Sequence, residues 1–62
     1  MVRVNEQIRI SPIRLIDEDG NQVGIVSLDD ARERATSKGL DMVEVASEAR
    51  PPVVKLMDFG KF

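Results

Sequence analysis

Ser27 and Gly39 bracket the one helix this chain can build, and that bracket constrains everything around it. Ser27 is an N-cap by residue type, and Asp29 and Asp30 put negative charge against the positive end of the first turn. Leu28, Ala31 and Ala35 fall at i, i+3 and i+7, a narrow apolar stripe, while Arg32, Glu33, Arg34 and Lys38 cover the other side. Gly39 supplies the left-handed cap, and Leu40 can fold back onto the last turn. A helix of about ten residues does not hold itself in water. It has to lie on a sheet.

The flanking segments read as that sheet. Ile13 to Asp17 alternates as a half-buried strand, Glu18-Asp19-Gly20-Asn21 carries an Asp-Gly hairpin signal, and Gln22 to Val26 returns. Gly24 inside the second strand predicts a bulge or a close backbone approach. Leu40 to Ala46 makes a third strand, residues 47–52 a loop, and Val53 to Met57 a fourth. The order β-β-α-β-β predicts an α+β layer, four strands with the helix packed across one face. The expected core is Ile13, Leu15, Ile25, Leu28, Ala31, Ala35, Leu40, Val43, Val45, Val54 and Leu56.

A chain of 62 residues makes one small domain, burying only ~60% of the surface it exposes when unfolded. It contains no Cys, His, Tyr or Trp, which removes disulfides, thiolate or imidazole metal sites and His-assisted nucleophiles. The carboxylates fall in turns and on a helix face, so no enzyme activity, cofactor or metal is expected. No apolar run is long enough to span a bilayer and the first residues lack a signal peptide. A soluble cytoplasmic monomer with no membrane contact is the expectation.

The net charge of −2 is unevenly divided. Residues 1–14 carry Arg3, Arg9 and Arg14 against Glu6, and residues 50–62 carry Arg50, Lys55 and Lys61 against Asp58, so each end is +2. The middle sets Arg32, Arg34 and Lys38 against nine acids, giving −6. Salt screens charges beyond roughly 8–10 Å, so basic ends can attract phosphate while an acidic centre does not. Scattered surface cations would explain the same counts.

The end of the chain is the most distinctive stretch: Arg50-Pro51-Pro52-Val53-Val54-Lys55-Leu56-Met57-Asp58-Phe59-Gly60-Lys61-Phe62. The proline pair favours an extended entry to a strand. Rings and a cation beside a glycine suit an outside contact, nucleic acid among them. Together with Val4-Asn5-Glu6-Gln7-Ile8-Arg9, Gly24-Ile25-Val26-Ser27-Leu28 and Gly39-Leu40-Asp41-Met42-Val43-Glu44-Val45, this stretch resembles the amino-terminal domain of bacterial translation initiation factor 3. The resemblance covers nearly the whole chain. It implies a β-grasp, ubiquitin-like fold. It further implies a non-enzymatic factor that binds the small ribosomal subunit and its ribosomal RNA, opposes premature subunit joining, and helps check initiator tRNA and start-codon selection. The family's carboxy-terminal domain, joined through a linker, is absent from these residues, so an excised or truncated domain that binds weakly alone is expected.

On that basis residues 1–12 are read as a basic arm, 13–58 as the β-grasp body and 59–62 as the start of the linker. The candidate RNA or ribosome contacts are Arg3, Asn5, Gln7, Arg9, Arg14, Arg50, Lys55, Phe59, Lys61 and Phe62. Arginine suits phosphate through its planar fork, and Val4 and Ile8 can tuck the arm against the sheet. Arg14 and Lys55 should face solvent, opposite the core positions. The family usually has Tyr where this chain has Phe59, which places any hydroxyl bond there in doubt and leaves stacking intact. For the two rings, packing over the sheet edge and the mere end of the chain are the competing structural explanations.

Two other motifs carry nothing. Asp58-Phe59-Gly60 matches a kinase metal-binding triplet, but a phosphate loop, a catalytic loop and room for two lobes are missing. Asp17-Glu18-Asp19-Gly20 starts like a calcium loop without its downstream Glu, and a hairpin turn explains it. The rival function is a ubiquitin-like protein-interaction module. The Gly60-Lys61-Phe62 end is not the diglycine tail that carrier and conjugated members need. A small enzyme subunit would require clustered carboxylates in a concave pocket.

Overall fold

The computed structural model describes residues 2–61, and its element order follows the cap and turn chemistry. Strand β1 (Ile13–Ile16) and β2 (Gln22–Val26) form an antiparallel hairpin, helix α1 spans Leu28–Lys38, and β3 (Asp41–Ala46) and β4 (Val53–Met57) form a second antiparallel pair. The spatial order is β2-β1-β4-β3, with β1 and β4 parallel at the centre. That is the β-grasp arrangement, a mixed sheet with one helix across it.

Each local signal has a physical counterpart. The Ser27 hydroxyl accepts from Asp30 N at 3.0 Å, and Gly39 takes the left-handed conformation at φ 66°. Leu40 N then donates to Ala35 O, closing the last turn. At the hairpin only Gly20 needs a positive φ, at 88°. Gly20 N bonds Asp17 O, and the Asp17 carboxylate accepts from the N–H groups of Asp19 and Asn21. Those donors, Asn21 first, hold the Asp17 carboxyl below the usual aspartate range. Gly24, at φ 114°, lies where the β1–β2 register slips, and a Cβ there would meet nothing within 4 Å. It is a bulge, not a close approach.

The core holds Ile8, Ile13, Leu15, Ala31, Ala35, Met42, Val54 and Leu56, with Val26, Leu28 and Leu40 packed against it. Two expected members are not there. Ile25 is 55% exposed and Val45 48% exposed. Ile25 pairs with Arg14, so it shares the face that points away from the helix, and Val26 opposite Ile13 takes the inward place. In β3 the register pairs Met42 with Leu56 and Glu44 with Val54, which turns Met42 and Glu44 inward and Val43 outward. Val43 is nonetheless buried, flanked by Lys55 of β4 and by Val4, with which it forms an isolated antiparallel bridge. Ile8 and Met42 were the core positions that strand alternation did not reveal.

Among the described residues no helix is long and apolar enough to cross a membrane.

Candidate nucleic-acid interface

The arm is built into the domain. Arg3 O accepts from Glu44 N at 2.9 Å, extending the β3 edge. A short 3-10 turn, Asn5–Gln7, follows, in which Gln7 N bonds Val4 O and the Gln7 side-chain oxygen accepts from Val4 N. Ile8 then enters the core at 1% exposure. Ser11 Oγ accepts from Leu28 N and so ties the arm to the start of α1.

This anchoring engages most of the arm's polar groups. Arg3 Nη1 bonds Glu44 Oε1 at 2.9 Å, and the Glu44 side chain is only 2% exposed. A buried carboxylate needs a partner, and Arg3 is it. The Asn5 amide donates to Asp41 Oδ1 at 2.9 Å while its oxygen accepts from Met42 N at 3.0 Å. Asn5 holds a left-handed φ of 49°, a conformation in which Asn is enriched among non-glycine residues. Arg9 remains. It lines a cleft of about 250 Å³ with Arg3, Gln7, Ile10 and Glu44.

The other end returns to the same place. After β4, a 3-10 turn at Phe59–Lys61 is closed by Asp58, whose carboxylate accepts from Gly60 N and whose carbonyl accepts from Lys61 N. Phe59 N donates to Asp41 Oδ2 at 3.0 Å. Asp41, the first residue of β3, therefore receives the arm on one oxygen and the C-terminal turn on the other. The Asn5 amide first, and then the Phe59 N–H, hold its carboxyl below the usual aspartate range, with burial opposing. Phe59 is partly exposed at 39%. Phe62, with Met1, lies outside the described residues.

Ion pairing sorts the remaining cations. Arg32 pairs with Asp29, Arg34 with Asp30 and Lys38 with Glu18. The Lys38 ammonium lowers the Glu18 carboxyl, and Glu18 raises Lys38 in return. Arg50 folds back on the carbonyls of Ser47 and Ala49. Among the described residues Arg9, Arg14, Lys55 and Lys61 make no ion pair. Arg14 and Lys55 share the face of the sheet away from the helix, since Arg14 pairs with Val53 and Lys55 lies two residues further along β4. Arg3, Asn5 and Gln7 instead hold the arm in place. Asp41 and Glu44, which organise this end of the molecule, were missed by sequence reasoning. Each partners a residue some forty positions away, and no local pattern signals that. Among the described residues no group of three or more His, Cys, Asp or Glu is placed to hold a metal ion.

Fold and surface together define a β-grasp domain with an anchored N-terminal arm and a C-terminal turn clasped to the same strand. Family comparison agrees with that class. The chain belongs to the family described as Translation initiation factor IF-3, N-terminal domain, which matches residues 4–62. Translation initiation factor IF-3 of Aquifex aeolicus is 58% identical over 60 residues, covering 97% of this chain and 34% of that protein. The namesake factors of Legionella pneumophila and Corynebacterium glutamicum are each 55% identical over 60 residues, again covering 97% of this chain, and 34% and 32% of those proteins. The chain thus spans about a third of the length of the curated relatives it matches.

Proposed function

We propose that this domain is a non-enzymatic docking module. It contacts ribosomal RNA of the small subunit and initiator tRNA, and acts with a carboxy-terminal domain reached through a linker. In that setting it helps oppose premature subunit joining and check start-codon pairing. Residues 1–12 serve as the arm, 13–58 as the body and 59–62 as the start of the connection. Membership of the initiation-factor family supports the setting. The observation that carries the contact surface is the sorting of the cations, because Arg9, Arg14, Lys55 and Lys61 keep their charge unpaired while the helix cations are neutralised. Phe59, partly exposed beside Lys61, is suited to stack on a base.

So few free cations bind weakly and with steep salt dependence. Four phosphate contacts to single-stranded RNA give a slope of roughly −3 in log affinity against log salt. Titrating the domain onto small ribosomal subunits at increasing salt should show that slope. A salt-independent affinity would rule out phosphate contact.

A second reading, a ubiquitin-like protein-interaction module, draws on the outer sheet face, where Ile25 and Val45 are exposed. It predicts binding that is indifferent to salt and abolished by Ile25→Asp.

A further inference from the structure

Asp41 joins two segments that are far apart in sequence, and the geometry assigns it a role beyond RNA contact. Three hydrogen bonds run in series. Met42 N donates to Asn5 Oδ1 at 3.0 Å, Asn5 Nδ2 donates to Asp41 Oδ1 at 2.9 Å, and Phe59 N donates to Asp41 Oδ2 at 3.0 Å. The Asn5 side chain is thus clamped to the first two residues of β3, one group donating and one accepting. Its left-handed backbone is what lets the side chain face them. The two oxygens of a carboxylate move as one rigid unit, so each donor that fixes one oxygen orients the other. Without the arm, Asp41 must be ordered by the Phe59 N–H alone, and that bond is correspondingly weaker.

We propose that Asp41 is a positioning residue that couples the seating of the N-terminal arm to the order of the C-terminal turn. The Phe59–Lys61 turn is then more ordered while Asn5 is docked. An event that lifts the arm off β3 loosens that turn, and an event that pulls on the turn loosens the arm. Coupling of this kind is reciprocal by thermodynamic necessity. The inference goes beyond the RNA reading and stands without it, because it concerns the free domain.

Amide hydrogen exchange of the 62-residue chain tests it. Asn5→Asp keeps an oxygen for Met42 N and a side chain that tolerates the left-handed φ, but it places an oxygen against Asp41 where a donor was. The Phe59 amide, which Asn5 does not touch through any described hydrogen bond, should then exchange faster by about two- to tenfold, the value of one ordinary hydrogen bond. The Arg14 amide, bonded to Pro52 O at the sheet centre, reports global stability and serves as the reference for that ratio. Asp41→Ala should accelerate Phe59 and Met42 together. Ser27→Ala, which removes the helix cap and makes no bond with Asn5, Asp41 or Phe59, should leave the Phe59-to-Arg14 ratio unchanged. A Phe59 rate unaltered in Asn5→Asp relative to Arg14, or an equal rise of that ratio in Ser27→Ala, overturns the coupling.

Discussion

The two ends of this chain have the same net charge and opposite structural standing. The N-terminal arm is part of the fold: Ile8 fills the core, Val4 bridges to Val43, and Arg3 neutralises the buried Glu44. The C-terminal turn is an attachment, held by its own Asp58 and by one oxygen of Asp41. Each end nonetheless commits one of its three cations to the fold, Arg3 on Glu44 and Arg50 on the Ser47 and Ala49 carbonyls, and among the described residues leaves two without an ion pair. Charge counted along a sequence measures what a segment could offer; pairing decides what remains on offer.

The sharpest way to break that contrast is to hollow out the arm. Ile8→Ala should destabilise the domain by about 2–5 kcal/mol, the usual cost of emptying a buried aliphatic site, enough to unfold much of a population this small. Removing residues 59–62 should cost less, about 1–2 kcal/mol, since the exposed hydrogen bonds of the Phe59, Gly60 and Lys61 amides and the partly buried Phe59 ring are lost. Urea unfolding measures both, and equal losses would erase the distinction between the ends.

Next in size is Arg3→Ala. It leaves Glu44 buried without its partner, and because Arg3 itself is more than half exposed the cost is about 1–2 kcal/mol rather than that of a fully buried pair. Converting Glu44 to Gln in the Arg3→Ala background should restore part of the loss. A double-mutant cycle showing no coupling between the two positions would mean that the ion pair contributes nothing to docking the arm.

The smallest effect is on pH. Asp41 and Asp17 have depressed carboxyl pKa values in the folded domain, so the folded state releases those protons more readily than the unfolded one. Their stabilising contribution is complete above the ordinary aspartate value and disappears as pH falls through the depressed folded values. Acid should therefore loosen the Phe59–Lys61 turn and the β1–β2 hairpin before the core opens. Carboxyl carbon shifts followed by NMR would show Asp41 titrating below the ordinary value; titration at or above it would remove Asn5 and Phe59 as effective partners.

Which parts of this were legible in the sequence follows from the range of the interactions. The helix caps, the Gly20 turn and the Gly24 bulge are local, and residue chemistry within a few positions reports them. The face assignment of β3 was not legible. In Asp41-Met42-Val43-Glu44-Val45-Ala46 the polar Glu44 marks its own parity as the outer one, so Val43 and Val45 look like core; Val43 is buried as expected, and Val45 is exposed. The register turns Glu44 inward because Arg3, some forty residues away, supplies its counter-charge. Ile25 misled for a related reason, since the bulge at Gly24 leaves Val26 as the inward residue. Of the candidate contacts, Arg9, Arg14, Lys55 and Lys61 make no ion pair among the described residues, while Arg3, Asn5, Gln7 and Arg50 bond within the domain. Whether a cation is free depends on long-range partners, which periodicity and capping rules do not encode.

The most direct test reverses the two free charges at the ends. Arg9→Glu and Lys61→Glu, singly and together, should each weaken binding to small ribosomal subunits at unchanged melting temperature. The double variant should make the salt dependence shallower by about 1.4 in slope for single-stranded RNA contacts. Full affinity in the double variant, with the same salt slope, would contradict an RNA interface built on these ends.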